Sequence, residues 1–298
     1  MKGIILAGGL GSRLHPITLA TCKQLLPVYD KPMIFYPLSV LLLSKIRDIL
    51  LITTSQDIAC FQTLLGDGSH LGISLSYAIQ ENPRGIAEAF IIGESFINQS
   101  PVALILGDNI FYGNSLSSTL LHCSFHTKGG LIFGYEVKDP ARYGVMKFDA
   151  SGQIVDIIEK PKKPPSSFVV TGLYYYDANV VEIAKSLKPS QRGELEITEI
   201  NQVYLLQKEL QWILLERGFV WLDTGTPAAL LQASNYVQTV QERQGITVGC
   251  IEEIAYRMGY IDLNQLEHLA FFYKTEYGDY LREVVYREEN PMLSSCFL

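Results

Sequence analysis

The chain is poor in positive charge: 24 lysines and arginines stand against 31 aspartates and glutamates, for a formal charge of −7 and a pI near 5.3. No broad basic face is available to release counterions, which excludes nucleic acid as the main partner. Any phosphate chemistry must therefore rest on a few local cations. Cysteine is also sparse. Cys22, Cys60, Cys123, Cys250 and Cys296 are odd in number, widely scattered and in no C-x-x-C arrangement, so neither a zinc site nor a disulfide framework is indicated and reduced thiols are expected. Cys22 beside Lys23 leaves two readings open, a thiol acidified by the ammonium or a small space-filling residue. The five histidines (15, 70, 122, 126 and 268) form no metal-spaced cluster and suggest no Ser-His-Asp arrangement. Long apolar runs are missing: the stretch from Met33 to Ile46 is interrupted by Tyr36, Pro37, Ser39, Ser44 and Lys45 and is too short to span a bilayer, so it reads as a core helix. Met1-Lys2-Gly3 leads straight into a short strand without secretory features, which predicts a cytoplasmic protein with no membrane partner. There is no internal repeat and no hexapeptide pattern.

What is present is an ordinary globular composition, 48% hydrophobic and 18% charged over 298 residues, long enough to bury a large core. Short β-rich runs (Gly3–Ala7, Ile49–Thr53, Ser74–Ile79, Val102–Leu106) alternate with helical patterns over Met33–Ile46, Gln56–Leu65 and Arg84–Phe96. That alternation predicts an α/β fold, a Rossmann-like and mostly parallel sheet with helices on both faces and a site at the carboxyl ends of its strands. From 130 to 177 strands follow one another (Leu131–Val137, Gly144–Phe148, Ile154–Ile158, Val169–Tyr176), which predicts an antiparallel portion added to the sheet edge. Helices are expected at Glu196–Lys208, with Ile197, Ile200, Val203, Tyr204 and Leu206 largely on one face, and from Thr226-Pro227 to about Arg243, after a strand at Val220–Leu222. The last segments, Asp262–Tyr273 and Tyr277–Tyr286, also read as helical. The expected organisation is a core over 1–243, in two halves over about 1–128 and about 129–243, and a C-terminal helical appendage over 244–298.

The most informative run is Gly8-Gly9-Leu10-Gly11-Ser12-Arg13-Leu14 after the strand, followed by Lys23-Gln24-Leu25-Leu26-Pro27. Backbone at Gly8, Gly9 and Gly11 can turn sharply and bring its N–H groups close to an anion, while Arg13 and Lys23 supply positive charge: a phosphate cradle. A dinucleotide fingerprint needs glycine where Leu14 stands, and a P-loop needs Gly-Lys-Ser/Thr where Gly11-Ser12-Arg13 stands, so both fail. Asp108, in Leu104-Ile105-Leu106-Gly107-Asp108-Asn109, and Asp223, in Trp221-Leu222-Asp223-Thr224-Gly225, both follow apolar strands and make a reasonable Mg²⁺ seat. On spacing alone Asp108 reads equally as a turn residue and Asp223 as a cap for the helix near Pro227. In Gln80-Glu81-Asn82-Pro83-Arg84-Gly85 a side-chain amide suits a pyrimidine edge and Gly85 permits close backbone approach, although a helix-capping turn reads as well. Glu159-Lys160-Pro161 offers a point charge for a phosphate and an acceptor for hydroxyls, or two solvated loop charges.

Taken in order, these motifs resemble the sugar-phosphate nucleotidyltransferase family, and within it the thymidylyl-transferring branch, over residues 1 to about 285. The resemblance implies that Gly8, Gly9, Gly11, Ser12, Gln24, Gln80 and Gly85 bind the nucleotide and that Gly144, Glu159, Lys160, Val170 and Tyr174 line a sugar-phosphate pocket. Trp221 either stacks nearby or is a core tryptophan. Asp108 and Asp223 fall where the family binds its metal, and Arg13, Lys23 and Lys160 where it places its catalytic cations. The implied reaction joins dTTP and glucose 1-phosphate to give dTDP-glucose and pyrophosphate, the first step of dTDP-L-rhamnose-type deoxysugar synthesis. The implied assembly is a homotetramer with feedback inhibition by a dTDP-sugar. The chain departs from the family pattern at Ile86 and Glu88, where leucine and glutamine are expected, which leaves base choice open. Arg192-Gly193-Glu194-Leu195-Glu196 also matches and reads as structural. The alternatives are the same chemistry with UTP or another sugar 1-phosphate, a non-catalytic nucleotide-sugar sensor, and a nicotinamide dehydrogenase, the last disfavoured by Leu14.

Overall fold

The structure, a computed structural model, describes residues 1–290; Cys296 and the end of the predicted appendage lie outside the described residues. Thirteen strands occur among them: β1 (Lys2–Leu6), β2 (Pro27–Val28), β3 (Lys31–Pro32), β4 (Asp48–Thr53), β5 (Ser74–Ile79), β6 (Val102–Leu106), β7 (Asn109–Gly113), β8 (Gly130–Glu136), β9 (Gly144–Phe148), β10 (Ile154–Glu159), β11 (Phe168–Tyr176), β12 (Leu210–Leu214) and β13 (Phe219–Asp223). Four of them, in the order β5-β4-β1-β6, pair in parallel. Against β6 lies β11, antiparallel, with Leu173 opposite Ile105. β8 continues the sheet antiparallel to β11, and the hairpin β9–β10 branches from the start of β11.

The central strands are apolar at almost every position because both of their faces are covered. Ile5, Leu51, Ile105 and Tyr175 point into one core with Phe35, Leu38 and Leu41 of the helix Phe35–Leu43. Their neighbours Ile4, Leu50, Leu104 and Tyr176 point into the other, with Phe90, Val180, Ile200 and Tyr204. The crossovers from β1 to β4 and from β4 to β5 run over the first face, through Phe35–Leu43 and Ile58–Leu65, and the crossover from β5 to β6 runs over the second, through Glu88–Ile92. Crossovers on one face thus carry the chain from β1 outward to β4 and β5, and the return to β6 on the other side of β1 runs over the opposite face, which opens a crevice at the carboxyl end of β1. The glycine loop begins there.

The structure differs from the sequence reading in several places. Arg84–Phe96 is not one helix: residues 84–87 pair by backbone with Leu195 (Leu195 N to Arg84 O, 2.7 Å; Ala87 N to Leu195 O, 3.2 Å), and Glu88–Ile92 and Glu94–Ile97 meet at Gly93. Leu210–Leu214, not predicted as a strand, extends the sheet as β12, parallel to β8. Leu206 does not share the buried face of its helix Ile197–Leu206, being 83% exposed, whereas the polar Thr198 and Asn201 are buried. Finally, the helix Pro227–Gln244 is capped by Thr226, whose hydroxyl accepts from Ala229 N at 3.3 Å, so Asp223 is not its cap. Beyond Gly245, helices Ile251–Arg257, Leu263–Phe272 and Glu276–Glu289 bury Ile251, Leu266, Leu281 and Val284 in the same core as Phe35–Leu43. Among the described residues no helix is long and apolar enough to cross a membrane.

Candidate active site

Two adjoining cavities open at the crevice. The first, about 290 Å³, is lined by Gly9, Gly11, Ser12, Arg13, Lys23, Gln24, Gln80, Gly85 and Asp108 among others. The second, about 500 Å³, is lined by Gly144, Glu159, Lys160, Val170, Tyr174, Trp221 and Asp223, together with Asp108 and Arg13. The residues expected to hold a nucleotide therefore gather in one cavity and those expected to hold a sugar phosphate in the other. Gly8 is the exception: it lines neither cavity and lies against Gln80, whose Oε1 would be 2.3 Å from a Cβ at that position.

Local folding explains the placements. Gly85 adopts φ +106°, and a Cβ there would meet Leu195 O at 2.3 Å, so only glycine lets this turn close over the first cavity. Gln80 follows β5 directly and is buried, its Nε2 donating to Glu88 Oε2 at 2.8 Å and to Gly85 O at 3.4 Å. Cys22 is a space-filling thiol, pushed up to about 12 by burial, and donates from Sγ to Gln24 Oε1 at 2.9 Å. The acidified alternative is thereby overturned. Cys22, Cys60, Cys123 and Cys250 are all unbridged.

Asp108 and Asp223 leave β6 and β13 side by side because β13 pairs antiparallel with β7, setting Asp223 opposite Asn109. Asn109 is the hub here, and the sequence reading did not single it out. Its Oδ1 accepts from Trp221 Nε1 at 2.6 Å and from Gly172 N at 3.2 Å, which turns its Nδ2 to Asp108 Oδ1 at 2.8 Å. Trp221 is thus buried and hydrogen-bonded, with Tyr143 packed edge-on at 5.1 Å. The other oxygen of Asp108 is ion-paired with Lys23. Burial opposes the charge of Asp108, but the Lys23 ammonium and two side-chain hydrogen bonds prevail and hold its carboxyl below the usual range. Asp223 shifts the other way: burial raises it, the charge of Asp108 raises it further, and Lys23, Arg13 and Arg142 compensate only in part. A buried carboxylate pair in mutual repulsion suits a divalent cation. No three His, Cys, Asp or Glu side chains converge among the described residues, so such an ion would take two protein ligands and complete its shell with phosphate and water, the habit of Mg²⁺.

In the second cavity, Glu159 Oε2 accepts from Thr198 at 2.5 Å and its Oε1 lies 3.3 Å from both Arg192 and Lys160. Arg192, read from sequence as structural, also lines this cavity, as do Glu194, Arg142 and Tyr143. Arg142 and Tyr143 directly precede Gly144, already assigned to the pocket, whereas the Arg192-Gly193-Glu194 run lies far in sequence from every assigned residue. Thr171 and Asn201 also line this cavity, and their Oγ1 and Nδ2 are buried without any hydrogen-bond partner in the protein. A buried polar group costs stability unless paired, so each of these two atoms gains from any partner that a bound ligand or water supplies.

The likenesses to known proteins agree with this geometry. A glucose-1-phosphate thymidylyltransferase of Neisseria meningitidis is 56% identical over 282 residues, 94% of this chain and 98% of that one. One of Mycolicibacterium smegmatis is 54% identical over 289 residues, 97% of this chain and all of that one. A Bacillus anthracis crystal structure described as a glucose-1-phosphate thymidylyltransferase, in complex with sucrose, superposes with a TM-score of 0.73 at 41% identity, over 79% of this chain and 94% of its own. A UDP-glucose pyrophosphorylase complexed with UDP-glucose shares the fold, with a TM-score of 0.68 at 24% identity over 80% of this chain. The family model for nucleotidyl transferases matches residues 2–240, and the chain belongs to the nucleotidyl transferase family.

Proposed function

We propose that the chain transfers the dTMP unit of dTTP to α-D-glucose 1-phosphate, forming dTDP-glucose and releasing pyrophosphate. The observation that carries this reading is the shared wall of the two cavities: Ser12, Arg13, Ile86, Leu106, Asp108 and Glu194 line both. A triphosphate in one and a sugar phosphate in the other meet at Arg13 and Asp108. The names of the near relatives support the choice of substrates.

The sugar phosphate is already an anionic oxygen nucleophile, so the protein need not supply one. One of its oxygens bonds to the α-phosphorus in line while the bond to the bridging oxygen breaks, and the electron pair leaves with pyrophosphate. Catalysis is then positioning and neutralisation. Arg13 meets the leaving pyrophosphate, Lys23 the transferring phosphate, and Lys160 the sugar phosphate. Lys160 is held for this by its backbone, which donates to Tyr143 O at 2.9 Å. Mg²⁺ held by Asp108 and Asp223 would neutralise phosphate charge.

The division into a catalytic core over 1–243 and an appendage over 244–298 belongs to this reading, as do a cytoplasmic homotetramer and feedback inhibition by a dTDP-sugar. Light scattering on the purified protein and inhibition by dTDP-L-rhamnose test the last two. The reaction itself is tested by pyrophosphate release from glucose 1-phosphate with dTTP and with UTP, each with magnesium and with a chelator. Magnesium-dependent release favouring dTTP is expected. Equal or better use of UTP overturns the base, and no release with either overturns the reading.

A further inference from the structure

Glu88 opens the helix Glu88–Ile92 and is 5% exposed, yet it is charged and none of the roles above uses it. Its oxygens meet only donors: Gln80 Nε2 at 2.8 Å on Oε2, and Arg84 Nε at 2.8 Å and Nη2 at 2.6 Å on Oε1. A carboxylate that only accepts admits just one orientation of the neighbouring amide. Gln80 must turn its NH₂ to Glu88, and the second amide proton lies toward Gly85 O at 3.4 Å. Its Oε1 is what remains, over Gly8, where the missing Cβ leaves it room. Gln80, Gly85 and Ile86 line the first cavity, whereas Arg84 holds Glu88 from the solvent side, 69% exposed.

We infer that Glu88 is a positioning residue that locks the Gln80 amide with its carbonyl oxygen available to the base, so that the site selects a pyrimidine presenting a ring N–H, as thymine and uracil do, and rejects cytosine, whose N3 is an acceptor. The inference rests on the reading that the first cavity takes the nucleotide. In a site whose buried polar atom has one fixed sense, a ligand of the wrong sense leaves it unpaired and is rejected far more strongly than one that differs by a methyl group. Glu88 therefore sets the class of base, and thymine against uracil is decided elsewhere.

The test is equilibrium titration of dTTP, dCTP and N3-methyl-dTTP into the unmodified protein and into Glu88→Leu and Glu88→Gln, with steady-state kinetics alongside. The unmodified protein is expected to prefer dTTP over the other two by about 100-fold or more. Glu88→Leu frees the amide, so KM for dTTP rises about tenfold, kcat stays within about threefold, and the preference over dCTP falls about tenfold. Glu88→Gln retains an accepting oxygen for Gln80 and restores most of the preference. Equal binding of dTTP and N3-methyl-dTTP by the unmodified protein overturns the inference without recourse to any variant, as does an undiminished preference in Glu88→Leu. If the titrations come out as expected but no pyrophosphate is released with glucose 1-phosphate, the base lock stands and the proposed reaction falls.

Discussion

The ammonium of Lys23 is ion-paired with the carboxylate of Asp108 where the two cavities meet. Both side chains are largely buried, at 9% and 15% exposure, so each is the other's main counter-charge. Replacing Lys23 by methionine leaves Asp108 unpaired beside Asp223, a change that costs about 3–5 kcal/mol when the pair is fully buried and less here. The Tm of Lys23→Met is expected to fall, and added magnesium is expected to recover more of it than it adds to the unmodified protein, because the cation replaces the lost charge. Equal magnesium shifts in both proteins contradict the assignment of Asp108 to a cation site.

Thr171, which lines the second cavity, carries a buried hydroxyl that no neighbour pairs. Thr171→Val keeps the shape and removes the orphan, so Tm is expected to hold or rise slightly. The KM for glucose 1-phosphate is expected to rise about fivefold to tenfold, with KM for dTTP unchanged. A loss shared equally between the two substrates rules out a contact to the sugar.

Lys160 and Arg13 are exposed and carry no part of the core. Alanine at either position is expected to lower kcat/KM by about 100-fold or more while Tm moves by no more than a degree or two, since charge placed against phosphate acts mainly in the transition state. Near-normal turnover in either variant removes that residue from the mechanism.

His126 lies away from the site, with Nε2 buried and unpartnered. Burial lowers its pKa, opposed in part by Gly129 and Asp177. Its folded state thus binds protons less readily than the unfolded chain. The stability it permits is present above the ordinary value of 6.5 and is lost as pH falls from there toward the lower folded value. Urea unfolding at pH 7.5 and pH 5.5 is expected to show a smaller decrease for His126→Gln than for the unmodified protein, and an identical decrease excludes this cause.

Much of this site was legible because strand ends carry it. Gly11, Arg13, Asp108 and Asp223 each follow an apolar run, and a buried run fixes where its last residue emerges. Elements whose pattern comes from tertiary pairing were not legible. Leu210–Leu214 is a strand because β8 is there to receive it, and residues 84–87 are drawn from their helix by Leu195, far along the chain. Asn109 carries no signal of its own in the sequence. Its role comes from Trp221 and Gly172, which only the folded chain brings within reach of its carbonyl oxygen. Leu206 failed for the opposite reason: its helix fits the apolar period, but the buried face is turned so that Thr198 and Asn201 reach the cavity instead.

The central claim, that a sugar phosphate in one cavity attacks the α-phosphorus of a nucleotide in the other, is tested most directly with glucose 1-phosphate carrying ¹⁸O in its phosphate oxygens. After turnover with unlabelled dTTP, the account predicts that all the label remains in dTDP-glucose, including the oxygen bridging its two phosphorus atoms, and that the pyrophosphate is unlabelled. Label in pyrophosphate, or an unlabelled bridge, contradicts it.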